Sequence, residues 1–276
     1  MAELLQNNPM YEKFYNLTDK PFENTADPKF LYYSSQHEEA FSRLSYAVVE
    51  QKGAALLTGV FGCGKTVIAQ ALIGSLNKAK YEIAFIVNPQ LPHVELLREI
   101  VYDLGIKDNL PTLKTDIMHL LDERLHHNMD DGKNTIVIID EAHLIEDKLI
   151  FEELRLLLNL QFKNKFLLTL LLLGQPELKE KINNIKQLQQ RIFTKYHLTG
   201  LDRAEIPKYI QHRLGLAGAT EKIFEDNAFD SIYEASGGIP RRINQICDMA
   251  LLTAFGRQDK AINNKTINEV VKDLES

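Results

Sequence analysis

The spacing of apolar positions changes twice along this chain. Between residues 54 and 200, short apolar runs alternate with longer stretches in which apolar residues recur every third or fourth place. The runs are AALLTG (Ala54–Gly59), EIAFIVNP (Glu82–Pro89), NTIVIID (Asn134–Asp140), FLLTLLLLG (Phe166–Gly174) and TKYHLTG (Thr194–Gly200). They read as strands. A helix beginning near Lys65, then HVELLREIVYDLG, LKTDIMHLLDERLHH and LIFEELRLLLNLQF, reads as the helical stretches between them. The leucines of the fourth run also allow a buried helix, and only the alternation favours a strand. Apolar strands alternating with helices predict an α/β fold, a five-stranded parallel sheet covered on both faces. LIFEELRLLLNLQF is apolar nearly all round and is expected to be buried.

On either side of this region the pattern differs. QHEEAFSRLSYAVVEQ (Gln36–Gln51) has helical spacing, and before it lies an irregular, aromatic-bearing arm with Pro9, Pro21 and Pro28. After Leu201 only helical spacing remains, over Arg203–Leu216, Glu225–Ala235, Ile239–Phe255 and Asn264–Leu274. The expected organisation is an arm over 1–35, an α/β domain over 36–200 and a small all-helical domain over 201–276.

Composition narrows the class without naming it. The net charge of −6 gives no global attraction to nucleic acid or anionic lipid. Two cysteines, Cys63 and Cys247, are too few for a disulfide framework and suit a reducing compartment. The longest apolar run is about half of the roughly 20 residues a membrane helix needs. The N-terminus MAELLQNNPMYEKF lacks the apolar core of a signal peptide. The expectation is a soluble cytoplasmic protein.

The candidate chemistry begins with GVFGCGKT (Gly59–Thr66), which fits G-x-x-x-x-G-K-[ST] between an apolar strand and a helix. Gly59, Val60, Phe61, Gly62, Cys63 and Gly64 would turn their backbone N–H groups toward phosphates. The helix start at Lys65, Thr66 and Val67 would add its positive dipole end. Lys65 would meet the β- and γ-phosphates, and Thr66 would offer its hydroxyl to Mg²⁺. Cys63, beside a helix N-terminus, is either a reactive thiol or simply a small residue that fits; the second reading is favoured.

IVIIDE delivers Asp140 and Glu141 to the carboxyl edge of the sheet. Asp140 would support Mg²⁺, and Glu141 would orient and polarise the attacking water. The tetrad Asp-Glu-Ala-His that ends at His143 is also the signature of a helicase class. Those helicases close ATP between two sheet domains, and a second such domain needs on the order of 100–150 residues. Residues 201–276 of this sequence read as helical, so the tetrad is expected to mark nucleotide hydrolysis rather than a helicase.

GVFGCGKT, IVIIDEAH, LLGQPEL, LQQRI, YIQHRLGLAG and SGGIPRRINQICDMALL, in this order, resemble the AAA+ ATPases of the ExeA/GspA group. PFENTADPKFLYYSSQHEEAF looks like that group's opening segment. The group includes secretion-pathway A proteins and is similar in its core to the target-selecting ATPases of several transposons. The resemblance implies a P-loop NTPase of AAA+ type with a helical lid, ATP and Mg²⁺ as ligands, and a ring or helical homo-oligomer assembled with ATP. It places Gln175 at the sensor-1 position, where many relatives have Asn, Ser or Thr. It matches Arg191 to the arginine finger that reaches a neighbouring subunit's ATP. Arg241 matches sensor 2, with Arg242 as its competitor.

The implied output stays open among three readings. One is secretion or envelope assembly, in which relatives generally continue past the lid into a membrane helix and a periplasmic domain. The second is an ATP-dependent regulator that binds duplex DNA and recruits a transposase. The third is a free-standing ATP switch acting on a protein partner. The basic residues Lys163 and Lys165, and those along LKEKINNIKQLQQR, read first as a solvated face.

Overall fold

The structure, a computed structural model, describes residues 10–275, so the first nine residues of the expected arm and Ser276 of the expected lid lie outside the described residues. It divides into two compact units. One comprises Ser35–Phe61 and Lys65–Leu198; the other comprises the described parts of Met1–Ser34 and Thr199–Ser276, together with Gly62–Gly64.

The first unit is α/β. Its sheet is formed by β1 (Ala54–Gly59), β2 (Tyr81–Ile86), β3 (Asn134–Ile139), β6 (Leu168–Gly174) and β7 (Ile192–Leu198), in the order β2-β3-β6-β1-β7. All neighbours are parallel. Burial follows this order: β1 and β6 are buried along their whole length, whereas the edge strands β2 and β7 are partly exposed. An inner parallel strand faces helices on both sides, which is why these two read as unbroken apolar runs. It also settles the leucine run as a strand: Leu168–Leu172 pairs with Thr135–Ile139, and Leu170–Gly174 pairs with Ala54–Thr58.

Alternate residues serve opposite faces. Val137, Ile139, Leu170 and Leu172 join the core that includes α3 (His93–Asp103), α4 (Lys114–Asp130) and α5 (Lys148–Leu157). The other face carries α1 (Ser35–Val49) and α2 (Lys65–Ser75), which pack on β1 and β6.

The stretch LIFEELRLLLNLQF departs from expectation twice. The helix ends at Leu157, and Gln161–Phe162 (β4) pairs antiparallel with Lys165–Phe166 (β5). The intervening Lys163 and Asn164 have φ of 46° and 64°, the left-handed pair that closes a tight hairpin; without a glycine there, the sequence does not advertise it. The helix is also amphipathic rather than buried all round, since Leu149 and Leu156 are exposed. Two short helices, α6 (Pro176–Asn183) and α7 (Lys186–Gln189), then lead into β7.

The second unit is helical, built from α8 (Ile206–Leu216), α9 (Asp226–Ser236), α10 (Pro240–Arg257) and α11 (Asn264–Glu275). The described part of the arm enters its core: Tyr11, Tyr15, Leu17 and Phe22 are buried with Ile210, Phe224, Ile246 and Leu251. Arg213 fastens it. The buried guanidinium donates from Nε to the Pro21 carbonyl (2.5 Å), from Nη2 to the Glu23 carbonyl (3.0 Å) and from Nη1 to the Tyr209 hydroxyl (3.1 Å), and it lies over the Phe30 ring. Cys247 is buried in the same core, and burial pushes its thiol well above the usual range, so it is inert. No helix among the described residues is long and apolar enough to cross a membrane.

Removing the Arg213 fork would strand the carbonyls it satisfies. Arg213→Ala should destabilise the helical unit by about 3 kcal/mol in chemical unfolding followed by circular dichroism. Arg213→Lys should recover little, because an ammonium cannot reproduce the planar set of donors. Unchanged unfolding midpoints would show that the arm is held without it.

Candidate nucleotide site

Parallel strands deliver their carboxyl ends to one edge of the sheet, where ligands of open α/β folds bind. Here β1 ends at Gly59, β3 at Ile139 and β6 at Gly174, and each is followed by a candidate residue. Lys65 opens α2, and its side chain is 5% exposed; its Nζ donates to the carbonyls of Gly59 (2.9 Å) and Val60 (3.2 Å). A buried ammonium needs such partners. The Thr66 hydroxyl donates to Asp140 Oδ2 at 2.5 Å, and Asp140 is 2% exposed. Hydroxyl and carboxylate oxygens held together in this way form the kind of hard oxygen set that suits Mg²⁺.

The rest of the loop is arranged around its glycines. Gly62 and Gly64 have φ of +82° and +102°, conformations that other residues rarely adopt. Cys63 is buried, Val67 is half-buried, and Val60 and Phe61 are exposed. Gly62–Gly64 count with the helical unit, where the Arg241 backbone N–H donates to the Gly62 carbonyl at 3.2 Å. A Cβ on Gly62 would come within 2.7 Å of the Arg241 Cβ. Arg242 points elsewhere, donating to Gln245 Oε1 (3.0 Å) and lying 3.5 Å from the Glu275 carboxylate. Of the two arginines, Arg241 is thus the one beside Gly62.

Glu141 has φ 48° and ψ 32°, the left-handed region, which is unusual for a residue with a long side chain. The Asp140 carboxylate accepts its N–H (2.9 Å), and its carbonyl accepts from Leu144 N–H (2.8 Å). A single turn of 3-10 helix, Ala142–Leu144, follows. Strain of this kind concentrates at functional sites. His143, in that turn, places Nδ1 3.2 Å from Glu141 Oε2, and the amide of Gln175 donates to its Nε2 at 3.0 Å. Lys181 of α6 donates to the carbonyls of His143 (2.6 Å) and Ile145 (2.8 Å). The sequence pointed to Gln175 and Glu141 separately, and to His143 only as a letter of a helicase signature. Nothing in the local spacing shows that a histidine and a glutamine 32 positions apart touch.

Arg191, just before β7, is half-buried; Nη1 donates to the Leu158 carbonyl (2.7 Å) and Nη2 to the Asn159 side chain. It lies at the end of α5 and makes no hydrogen bond to the residues around Asp140.

A family model described as an AAA domain matches residues 49–182. General secretion pathway protein A of Aeromonas hydrophila is 39% identical over 251 residues, 90% of this chain and 45% of that protein. The chain is therefore similar to that protein along most of its own length, and its residues 49–182 are similar to an AAA domain. It spans less than half of its relative's length, 45%. Solved structures share the fold, a parallel α/β sheet followed by a helical region. The Aeropyrum pernix ORC2 protein in its ADPNP-ADP complexes aligns with TM-score 0.69 at 17% identity, over 92% of this chain and 71% of that one. Drosophila ORC bound to DNA aligns with TM-score 0.73 at 15% identity, over 98% and 67%. The Thermotoga maritima RuvB branch migration motor aligns with TM-score 0.57 at 18% identity, over 86% and 69%. At these identities the likeness carries fold and nothing further.

At Gly174 the end of β6 lies close against the 3-10 turn: a Cβ there would meet the His143 backbone nitrogen at 3.1 Å and the Leu178 side chain at 2.8 Å. Leu178 can swing aside, but the backbone of the turn cannot. Gly174→Ala is expected to cost about 1–3 kcal/mol, read as a lowered melting temperature. A melting temperature equal to the parent's would show that the turn has room to move.

Proposed function

We propose that this chain binds and hydrolyses ATP with Mg²⁺, and that ATP assembles it into an oligomer that acts on a partner in secretion or envelope assembly. The observation that carries the ATPase reading is the Thr66–Asp140 bond beside a buried Lys65, with the Glu141 carboxylate next along the chain. Lys65 would exchange its carbonyl partners for β- and γ-phosphate oxygens. Thr66 and Asp140 would hold Mg²⁺, which supplies charge neutralisation at the phosphates. Glu141 would orient the attacking water, and Gln175 would contact the γ-phosphate or that water. Arg241 would report the γ-phosphate to the helical lid. The nucleotide would lie along Gly59, Val60, Phe61, Gly62, Cys63, Gly64 and Val67 as well.

Arg191 is assigned the trans role: it would leave Leu158 and Asn159 to reach the ATP of a neighbouring copy. A finger of this kind is worth about 10³–10⁵ in rate in GTPases, which corresponds to roughly 4–7 kcal/mol of barrier. The secretion reading rests on the name of the Aeromonas hydrophila relative and on the 39% identity to it. The duplex-DNA and transposase alternative has fold-level support only, from the ORC structure bound to DNA.

Three variants test the chemistry. Lys65→Ala should lose binding of a fluorescent ATP analogue. Glu141→Gln should retain binding and lose turnover, by about 10²–10⁴-fold; normal turnover in purified Glu141→Gln would sink the assignment. Arg191→Ala should keep nucleotide affinity yet lower turnover by at least about 10³-fold. Mixing it with Lys65→Ala should restore some activity, since each variant contributes the part the other lacks. Absence of any recovery, in a mixture shown by sedimentation to co-assemble, would place Arg191 outside the trans site.

A further inference from the structure

We propose that His143 is a positioning residue that ties the Glu141 carboxylate to Gln175, so that the water-orienting group and the phosphate-sensing group move as one linked pair. The proposal rests on the ATPase reading above. His143 is nearly buried: its side chain is 11% exposed, against 30% for Glu141. Its two ring nitrogens face two different residues, Nδ1 toward Glu141 Oε2 at 3.2 Å and Nε2 toward the Gln175 amide at 3.0 Å. Neither Nδ1 nor Oε2 has a hydrogen bond in good alignment, although both are buried. Buried polar atoms rarely stay unsatisfied, so a small rotation that joins these two to each other is the natural resolution.

One tautomer serves both neighbours. With the Gln175 NH₂ donating to Nε2, that nitrogen supplies the lone pair and the proton sits on Nδ1, where it can donate to the carboxylate. The opposite tautomer would set the Nδ1 lone pair against Oε2 and an N–H against the amide donors, which repels at both ends. With Oε2 turned to the imidazole, Oε1 is left to face the attacking water.

The histidine is itself held on three sides. Lys181 donates to its carbonyl (2.6 Å), Gly174 allows β6 to approach its backbone nitrogen, and the left-handed turn at Glu141 brings the side chains at 141 and 143 together. A contact of the γ-phosphate with Gln175 would therefore be felt at Glu141 through the ring, without moving the strands.

The test combines kinetics with a spectrum. His143→Ala should lower kcat about 10–100-fold, by analogy with the loss of a hydrogen-bond partner that orients a metal ligand, with KM for ATP and nucleotide affinity changed less than about twofold. His143→Asn places an amide N–H near the position of Nδ1 and should recover most of the rate. His143→Gln reaches the Nε2 position instead and should not. Adding Gln175→Ala to His143→Ala should cost less than the product of the two single effects, because the pair acts as a unit.

In the unmutated protein labelled with ¹⁵N-histidine, and with His143 assigned by its disappearance in His143→Asn, the ring should show the Nδ1–H tautomer. Glu141→Gln separates the two levels of the claim. If it still turns over ATP, the ATPase reading fails. If it is dead while His143→Ala keeps its kcat, the ATPase reading stands and the link is overturned. Equal rates for Asn and Gln variants, or an Nε2–H tautomer at His143, would also overturn it.

Discussion

Strand β6 lies between β3 and β1, bonded to both, and this placement sets the layout of the candidate site. Its pairing brings Ile139 level with Leu172 and Thr58 level with Gly174. Continuing the two registers by one residue puts Asp140 beside Leu173 and Gly59 beside Gln175. The glycine-rich loop and the acidic pair therefore flank the end of one central strand, and Thr66 can span it to reach Asp140. A slip of one residue in β6 would turn its leucines to the opposite faces and break this alignment, which is why a strand buried on both sides is the natural carrier of such a site.

Around this strand end, ordinary packing rules are broken together. Glu141 adopts a left-handed backbone, His143 Nδ1 and Glu141 Oε2 are buried without an aligned partner, and Lys65 and Asp140 are ionisable side chains in buried positions. Each costs free energy by itself, on the order of 1–3 kcal/mol for the strained residue. The cost is tolerated because the surrounding sheet and α6 over-determine the geometry, through Lys181 at two carbonyls and the tight approach at Gly174. Strain and buried ionisable groups of this kind concentrate at functional sites in general.

The helical unit is stabilised differently. It has few residues of its own, and the described part of the arm completes its core with Tyr11, Tyr15, Leu17 and Phe22. The Arg213 fork fixes the chain at Pro21 and Glu23 where no secondary structure would. A buried guanidinium that finds three acceptors can stabilise an irregular segment, which would otherwise bury unpaired carbonyls.

The alternation of apolar runs and amphipathic stretches determined the α/β class, the five strands, the switch to helices after residue 200 and the glycine-rich loop that turns into α2. These are local signals, set by side-chain periodicity and by backbone conformations only glycine tolerates. The ambiguous leucine run, the end of α5 at Leu157 and the hairpin at Lys163–Asn164 were decided by tertiary structure. Leucine packs equally well in a buried helix or strand, and the free edges of β3 and β1 made the choice. The same holds for the site. Lys65, Thr66, Asp140 and Glu141 were readable as motif positions, whereas the contacts of His143 with Glu141 and Gln175 depend on which strands became neighbours, and strand order is not written in any local spacing.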